Sequence, residues 1–162
     1  MNNISKLYLS RAENELIAGR ILNDVSLNPL IQKEQFKIET SFTFYSSVIS
    51  HCYYCIFNTA KAILINEGIK TDMPNVHKKT FQAFKKFLVK TGKLDKSLFK
   101  IYEDMVVRAD VLLDIFSLEK GKRGEFTYKT LPQANVEPAK QSLENADLFF
   151  KTINKILEES QN

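Results

Sequence analysis

The sequence predicts an all-α protein, a bundle of about five helices, and three observations predict it. Apolar residues recur at three- and four-residue steps in five separate segments. No segment of useful length alternates apolar and polar residues with the period of a half-buried strand. Only five glycines and four prolines occur in 162 residues, too few for the many turns of an all-β chain. Hydrophobic residues make up 44% and charged residues 26%, so a chain of this length can bury a substantial core as one globular domain, 1–162.

The first helix is expected from about Ile4 to Asn23, with Leu7, Ala12, Leu16, Ala18, Ile21 and Leu22 as its apolar side. Residues 24–40 read as a connection broken by Asn28-Pro29. The second helix is expected from about Ser41 to Glu67, stopped by Gly68, which tolerates a left-handed backbone. Asn75 can cap a third helix, about Val76 to Lys90, ended by Gly92; Asp95 can cap a fourth, reaching about Phe116. Residues 117–133 carry two glycines and a proline and read as a long loop with a short extended piece at 125–129. Asn135 can cap the last helix, to about Glu158, with Pro138 in its first turn and Ala139, Leu143, Ala146, Phe149, Phe150, Ile153 and Leu157 facing inward.

Both cysteines lie in "SHCYYCIFNTAKAIL", residues 50–64. Cys52 and Cys55 share a stripe with Val48, Ile56, Thr59, Ala60 and Ile63, which is the core face of a helix. A structural zinc site needs four ligands, whereas His51 points about 100° away from Cys52 on the same helix. A reactive thiol is favoured at a helix N-terminus, and these sit mid-helix. The pair therefore reads as buried core, and no metal or cofactor is expected. Tyr53 and Tyr54 draw more interest, since a buried phenol needs a hydrogen-bond partner. Two cysteines define no disulfide framework, and no run approaches 18 uninterrupted apolar residues, so the expected setting is cytoplasmic, without a membrane span.

The net charge of +4 is unevenly spread. Between His77 and Lys100 stand eight lysines (78, 79, 85, 86, 90, 93, 96 and 100) against one acid, Asp95. Such a face can attract phosphates or can be the solvated side of an amphipathic helix.

Four stretches together resemble the HEPN domains, small helical modules of prokaryotes. They are "SVISHCYYCIFNTAKAILINEGIKT", "HKKTFQAFKKFLVKTGKLDKSL" with its leading His77, "RADV" at 108–111, and "PAKQSLENADLFFKTI". The resemblance covers roughly residues 5–157. It implies an up-down antiparallel helical bundle that dimerises through its middle helices, and an association with nucleic acid in ribonuclease toxins, defence systems or partners of small nucleotidyltransferases. Catalytic members carry an arginine followed four to six residues later by histidine, paired across the dimer without metal. Here Leu112, Leu113 and Asp114 occupy those places after Arg108, and the family's Ala-Asp-Tyr element is Ala109-Asp110-Val111.

Helix four taken alone has two apolar faces. Leu98, Tyr102, Met105, Ala109, Leu112 and Phe116 face the bundle; Val107, Val111 and Ile115 form a second stripe, to be covered by a homodimer partner or by the 117–133 loop. Arg108 lies at the border, where it can face a dimer cleft or pair with Asp104 one turn earlier. Arg108 and Asp110 point about 160° apart and cannot serve one site within a protomer. Asp110 and Asp114 share a face. His77 can position a phosphate, act as a base, or simply cap and pack.

No phosphate loop, HExxH or nucleophile elbow appears. As an enzyme the chain would be an endoribonuclease using Arg108, His77 and Asp114. As a binding module it would hold RNA or a nucleotide with Arg108, Asp110, Tyr53, Tyr54, Lys78 and Lys79. Lys120, Lys122, Arg123 and Tyr128 of the long loop would add cations and a stacking ring. A third reading is a protein-interaction scaffold, for instance with a small nucleotidyltransferase.

Overall fold

The computed structural model describes residues 1–121 and 136–160, with side chains described outside 111–121. It is an all-α bundle: α1 (Asn3–Leu27), α2 (Tyr45–Asn66), α3 (Val76–Phe84, continued by a π-helical turn Lys85–Val89), α4 (Lys96–Gly121) and α5 (Val136–Glu159). A short π-helical turn, Ile31–Gln35, follows α1.

Local signals act at most helix ends. Asn2 Oδ1 accepts the Ile4 amide at 2.8 Å, and Asp95 Oδ1 accepts the Ser97 amide at 2.7 Å as expected of a cap. Gly68, at φ +75°, ends α2. Its amide donates to the Ile65 carbonyl at 3.0 Å and the Ile69 amide to that of Leu64 at 2.8 Å, the paired bonds of a left-handed glycine terminus. Asn75 differs from expectation: its backbone is left-handed (φ 60°) and its side chain makes no cap bond. Its carbonyl accepts the Lys79 amide at 3.0 Å instead.

Cross-helix contacts give the directions. Ser5 Oγ of early α1 donates to the Ala62 carbonyl of late α2 at 2.8 Å. The Phe44 amide, just before α2, donates to Ser26 Oγ of late α1 at 2.8 Å, so the two helices are antiparallel. Leu143 of α5 stands level with Cys52 of α2 where both meet Gly19. A Cβ at Gly19 would lie 3.3 Å from Leu143, so the missing side chain lets three helices converge. Tyr102 packs on Phe149 while the later Arg108 reaches Pro138, so α4 opposes α5. The shorter α3 begins beside Tyr53 and ends at the Glu67–Lys93 ion pair, running alongside α2. Residues 67–75 carry the chain back along α2 to allow it.

Helix α2 is the centre. Every residue from Cys55 to Leu64 is buried, the polar Asn58, Thr59 and Lys61 included. By length and composition α2 could cross a membrane, yet 72% of its apolar window is buried inside the bundle. The core joins Leu9, Ala12 and Leu16 to Val48, Cys52, Ile56, Ile63, Phe84, Leu98, Tyr102, Met105, Phe149, Ile153 and Leu157.

Three expectations change. Leu7 and Ile21 of α1 are exposed, at 51% and 54%. They lie about 180° and 140° from Leu16, and the buried face includes Ser5, Leu9, Ala12, Leu16 and Gly19. Helix α1 continues to Leu27 and α2 starts only at Tyr45, so the connection is shorter at one end and longer at the other. Helix α4 runs to Gly121, through the first five residues expected to be loop. The extended piece at 125–129 and the Asn135 cap lie outside the described residues.

Candidate functional site

Tyr53, Tyr54 and Phe57 of α2 meet His77 at the start of α3. The His77 ring stacks on Phe57 with centroids 4.1 Å apart and planes 27° apart. Tyr53 lies near-parallel to it at 5.7 Å and 21°, and Tyr54 meets it edge-on at 6.0 Å. The Tyr53 hydroxyl and His77 Nδ1 are hydrogen-bonded at 2.9 Å. The i, i+4 spacing of Tyr53 and Phe57 presents both on one face of α2, and the return of residues 67–75 delivers His77 onto it. Phe57 is buried, Tyr53 half-buried, and Tyr54 and His77 exposed.

The electrostatics are asymmetric. Burial, aided by the nearby Lys61 ammonium, lowers the basicity of His77 below the ordinary histidine value. Burial pushes the Tyr53 phenol up to about 12, helped by Tyr54 and by the negative charge of Asp110. Asp110 of α4 therefore sits on the same side of the molecule as Tyr53, exposed to solvent. Lys61, buried on α2, donates to the Thr71 carbonyl at 2.9 Å and lies 5.1 Å over the Tyr8 ring. Thr71 and Thr80 share a hydroxyl–hydroxyl bond of 2.8 Å. These contacts pin the return segment to both α2 and α3.

All eight lysines between His77 and Lys100 are exposed. Lys79 donates to the Asp72 carbonyl at 3.1 Å. Lys93 pairs with Glu67, and Lys100 with Asp104 at 2.8 Å. Lys85 lies 4.8 Å over the Phe99 ring and Lys86 4.9 Å over the exposed Phe87. Lys78, Lys90 and Lys96 make no ion pair with a described residue. Helix α3 thus carries a positive outer face beginning beside His77.

Arg108 sits elsewhere, in the seam between α4 and α5. Its Nη1 donates to the Pro138 carbonyl at 3.0 Å and to Ser142 Oγ at 3.1 Å, and its Nη2 donates to Gln141 Oε1. The intrahelical pair with Asp104 is replaced, since Asp104 is engaged by Lys100. Val107 is 58% exposed. The side chains of Val111, Asp114, Ile115 and Lys120 lie outside those described, as do Lys122, Arg123 and Tyr128 altogether. Of the residues picked from sequence, the fold brings together Tyr53, Tyr54, His77 and Lys78, with Asp110 near, and leaves Arg108 apart. Phe57 is the member of this cluster that the sequence reading did not single out, although its four-residue spacing from Tyr53 is visible in the sequence.

The other side chains singled out are structural. Cys52 and Cys55 are unpaired and fully buried. Burial raises the Cys52 thiol to about 12 and the Cys55 thiol further. His51 Nδ1 lies 2.6 Å from Glu15 Oε2, joining α2 to α1.

No family model and no solved structure matches the chain. Over 113 residues it is 28% identical to a UPF0332 protein of Thermotoga maritima, covering 70% of this chain and 73% of that relative. Over 79 residues it is 33% identical to a Methanocaldococcus jannaschii protein named "Putative toxin MJ0142", covering 46% of this chain and 52%, about half, of the relative. The chain is therefore similar, at low identity, to a small group of which one protein bears a toxin's name.

Proposed function

We propose that this chain is a toxin-like HEPN module that binds RNA or a nucleotide as a homodimer, with α3 as its phosphate-binding face. The observation that carries the reading is the exposed lysine face of α3, with Lys78 and Lys90 free of ion pairs to described residues and exposed Phe87 among the cations. Clustered ammonium groups attract a phosphate backbone, and an interleaved ring offers a stacking surface. The toxin's name borne by one relative supports the setting, a toxin–antitoxin or defence system in which a small nucleotidyltransferase is a fitting partner.

Binding is favoured over cleavage for a chemical reason. An RNA-cleaving site needs a general acid and base together with a cation at the scissile phosphate. Arg108 spends its donors on Pro138, Gln141 and Ser142 of α5, and His77 is on another helix. Exposed Val107 supports pairing through the α4 stripe of Val107, Val111 and Ile115.

The test is RNA binding by the purified protein across a salt series, with cleavage followed in the same tubes. If α3 neutralises about three phosphates of a single strand, the log–log slope is about −2. Binding of that salt dependence without cleavage supports the reading. Cleavage that disappears in Arg108→Ala would replace it with a ribonuclease, and absence of binding at every salt would leave the scaffold.

A further inference from the structure

We propose that His77, backed by Phe57, is a stacking subsite for one unpaired base at the end of the α3 lysine face, so that the ligand is a single-stranded polynucleotide. This rests on the reading of α3 as a phosphate-binding face and assigns His77 a recognition role rather than a proton-transfer role.

The geometry is that of a platform. Phe57 is 7% exposed and fixed in the core boundary. It covers one face of the imidazole at 4.1 Å. His77 is nevertheless exposed, so the ring also presents surface to solvent. Tyr53, near-parallel to the ring, flanks it and extends the flat apolar area, while Tyr54 stands edge-on beside it. A ring backed by a buried ring loses little freedom when a base stacks on it, which is the arrangement that sequence-tolerant single-strand binding uses.

The chemistry of the ring argues against the other roles. The Tyr53 hydroxyl and His77 Nδ1 share a hydrogen bond, and a phenol that donates to Nδ1 leaves the proton of the neutral ring on Nε2. In that tautomer neither nitrogen offers a free lone pair for a base. Burial and Lys61 both oppose the imidazolium, which disfavours the charge that would hold a phosphate. The phosphate is served instead by Lys78, the next residue in the chain and the first cation of the α3 face. A base stacked on His77 thus has its own backbone within reach of α3. A duplex keeps its bases paired and cannot occupy the platform.

The experiment uses the full chain at low salt with labelled oligo-U RNA, oligo-dT and a blunt RNA duplex, read by fluorescence anisotropy, for wild type, His77→Ala and His77→Phe. Thermal melts establish that each variant is folded. The expected result is that His77→Ala binds single strands about tenfold more weakly, while His77→Phe stays within about twofold. A 2-aminopurine placed in the single strand should lose fluorescence on binding wild type and His77→Phe. The ratio of oligo-U to oligo-dT affinity assigns the source as RNA or as any single strand, and the duplex should bind more weakly than either. The subsite is overturned if His77→Phe is as weak as His77→Ala, if His77→Ala binds like wild type, or if the duplex binds as well as single strands. Wild type that binds single strands with His77→Ala unaffected removes the subsite alone. Wild type that binds no polynucleotide removes the α3 reading with it.

Discussion

Arg108 and Ser142 join α4 to α5: the guanidinium Nη1 donates to the serine hydroxyl at 3.1 Å, while that hydroxyl donates to the Pro138 carbonyl at 2.7 Å. A cation facing the first carbonyls and side chains of α5 ties its N-terminal turn to α4. Arg108→Ala is expected to lower stability by about 1–2 kcal/mol, since hydrogen bonds to a charged group are lost in a partly buried seam. Urea denaturation measures this. Affinity of the folded variant for single strands should stay within about twofold; a larger loss would return Arg108 to the binding surface.

The lysine face separates from the rest of the charge by its response to salt. Lys86→Glu together with Lys90→Glu should abolish measurable single-strand binding at moderate salt and leave the melting temperature within a few degrees, because both residues are exposed. Reversal of Lys93 and Lys100, which are paired with Glu67 and Asp104, should cost less affinity. Equal effects of the two pairs would mean that only net charge matters.

His77 gives stability a pH dependence whose sign follows from its environment. The ordinary value is 6.5, and burial with Lys61 holds the folded value lower. Above 6.5 both states are neutral at this ring. As pH falls below it, the unfolded chain takes up a proton that the folded chain resists, so stability declines until the pH passes below the folded value. Tyr53, Tyr54, Phe57 and Lys61 are the groups around the ring, and the carboxylate on that side, Asp110, acts on Tyr53 rather than on the ring. Urea midpoints between pH 8 and 5 should therefore fall more for wild type than for His77→Phe. Equal slopes would show the ring fully solvated.

The core thiols and the buried phenol on α4 behave as structure. Cys52 and Cys55 should not react with a thiol reagent in the native protein, and both should react in denaturant, because burial suppresses the thiolate. Tyr102 is fully buried among Phe81, Phe84 and Phe149, and its hydroxyl has no partner among the described residues. Tyr102→Phe is expected to be neutral or stabilising by up to about 1 kcal/mol, as an unsatisfied buried hydroxyl is removed at constant shape. A loss of stability would reveal a hydrogen bond to that hydroxyl.

The candidate site was legible in pieces. Tyr53, Tyr54, His77 and the lysines are visible as residue types, and helical spacing puts the tyrosines on one helix. Their meeting with His77 depends on residues 67–75 folding back along α2, a path set by Lys61, Thr71 and Thr80 contacts that have no sequence signature. The acceptors of Arg108 were hidden for a related reason: spacing offers Asp104 as a partner, and only the approach of α5 supplies Pro138, Gln141 and Ser142.

By itself the sequence determined the helices, because periodicity, Gly68 and Asp95 act within a few residues of where they stand. Apolar residues spread around α2, from the Val48–Cys52–Ile56 stripe to Tyr53 and Phe57, also marked it as a helix to be covered on more than one side. Tertiary structure decided which apolar side of α1 is covered, which acceptors hold Arg108, and that His77 lies on Phe57. Those are contacts between residues far apart in the chain. Their energies depend on how whole helices pack, and no local pattern encodes them.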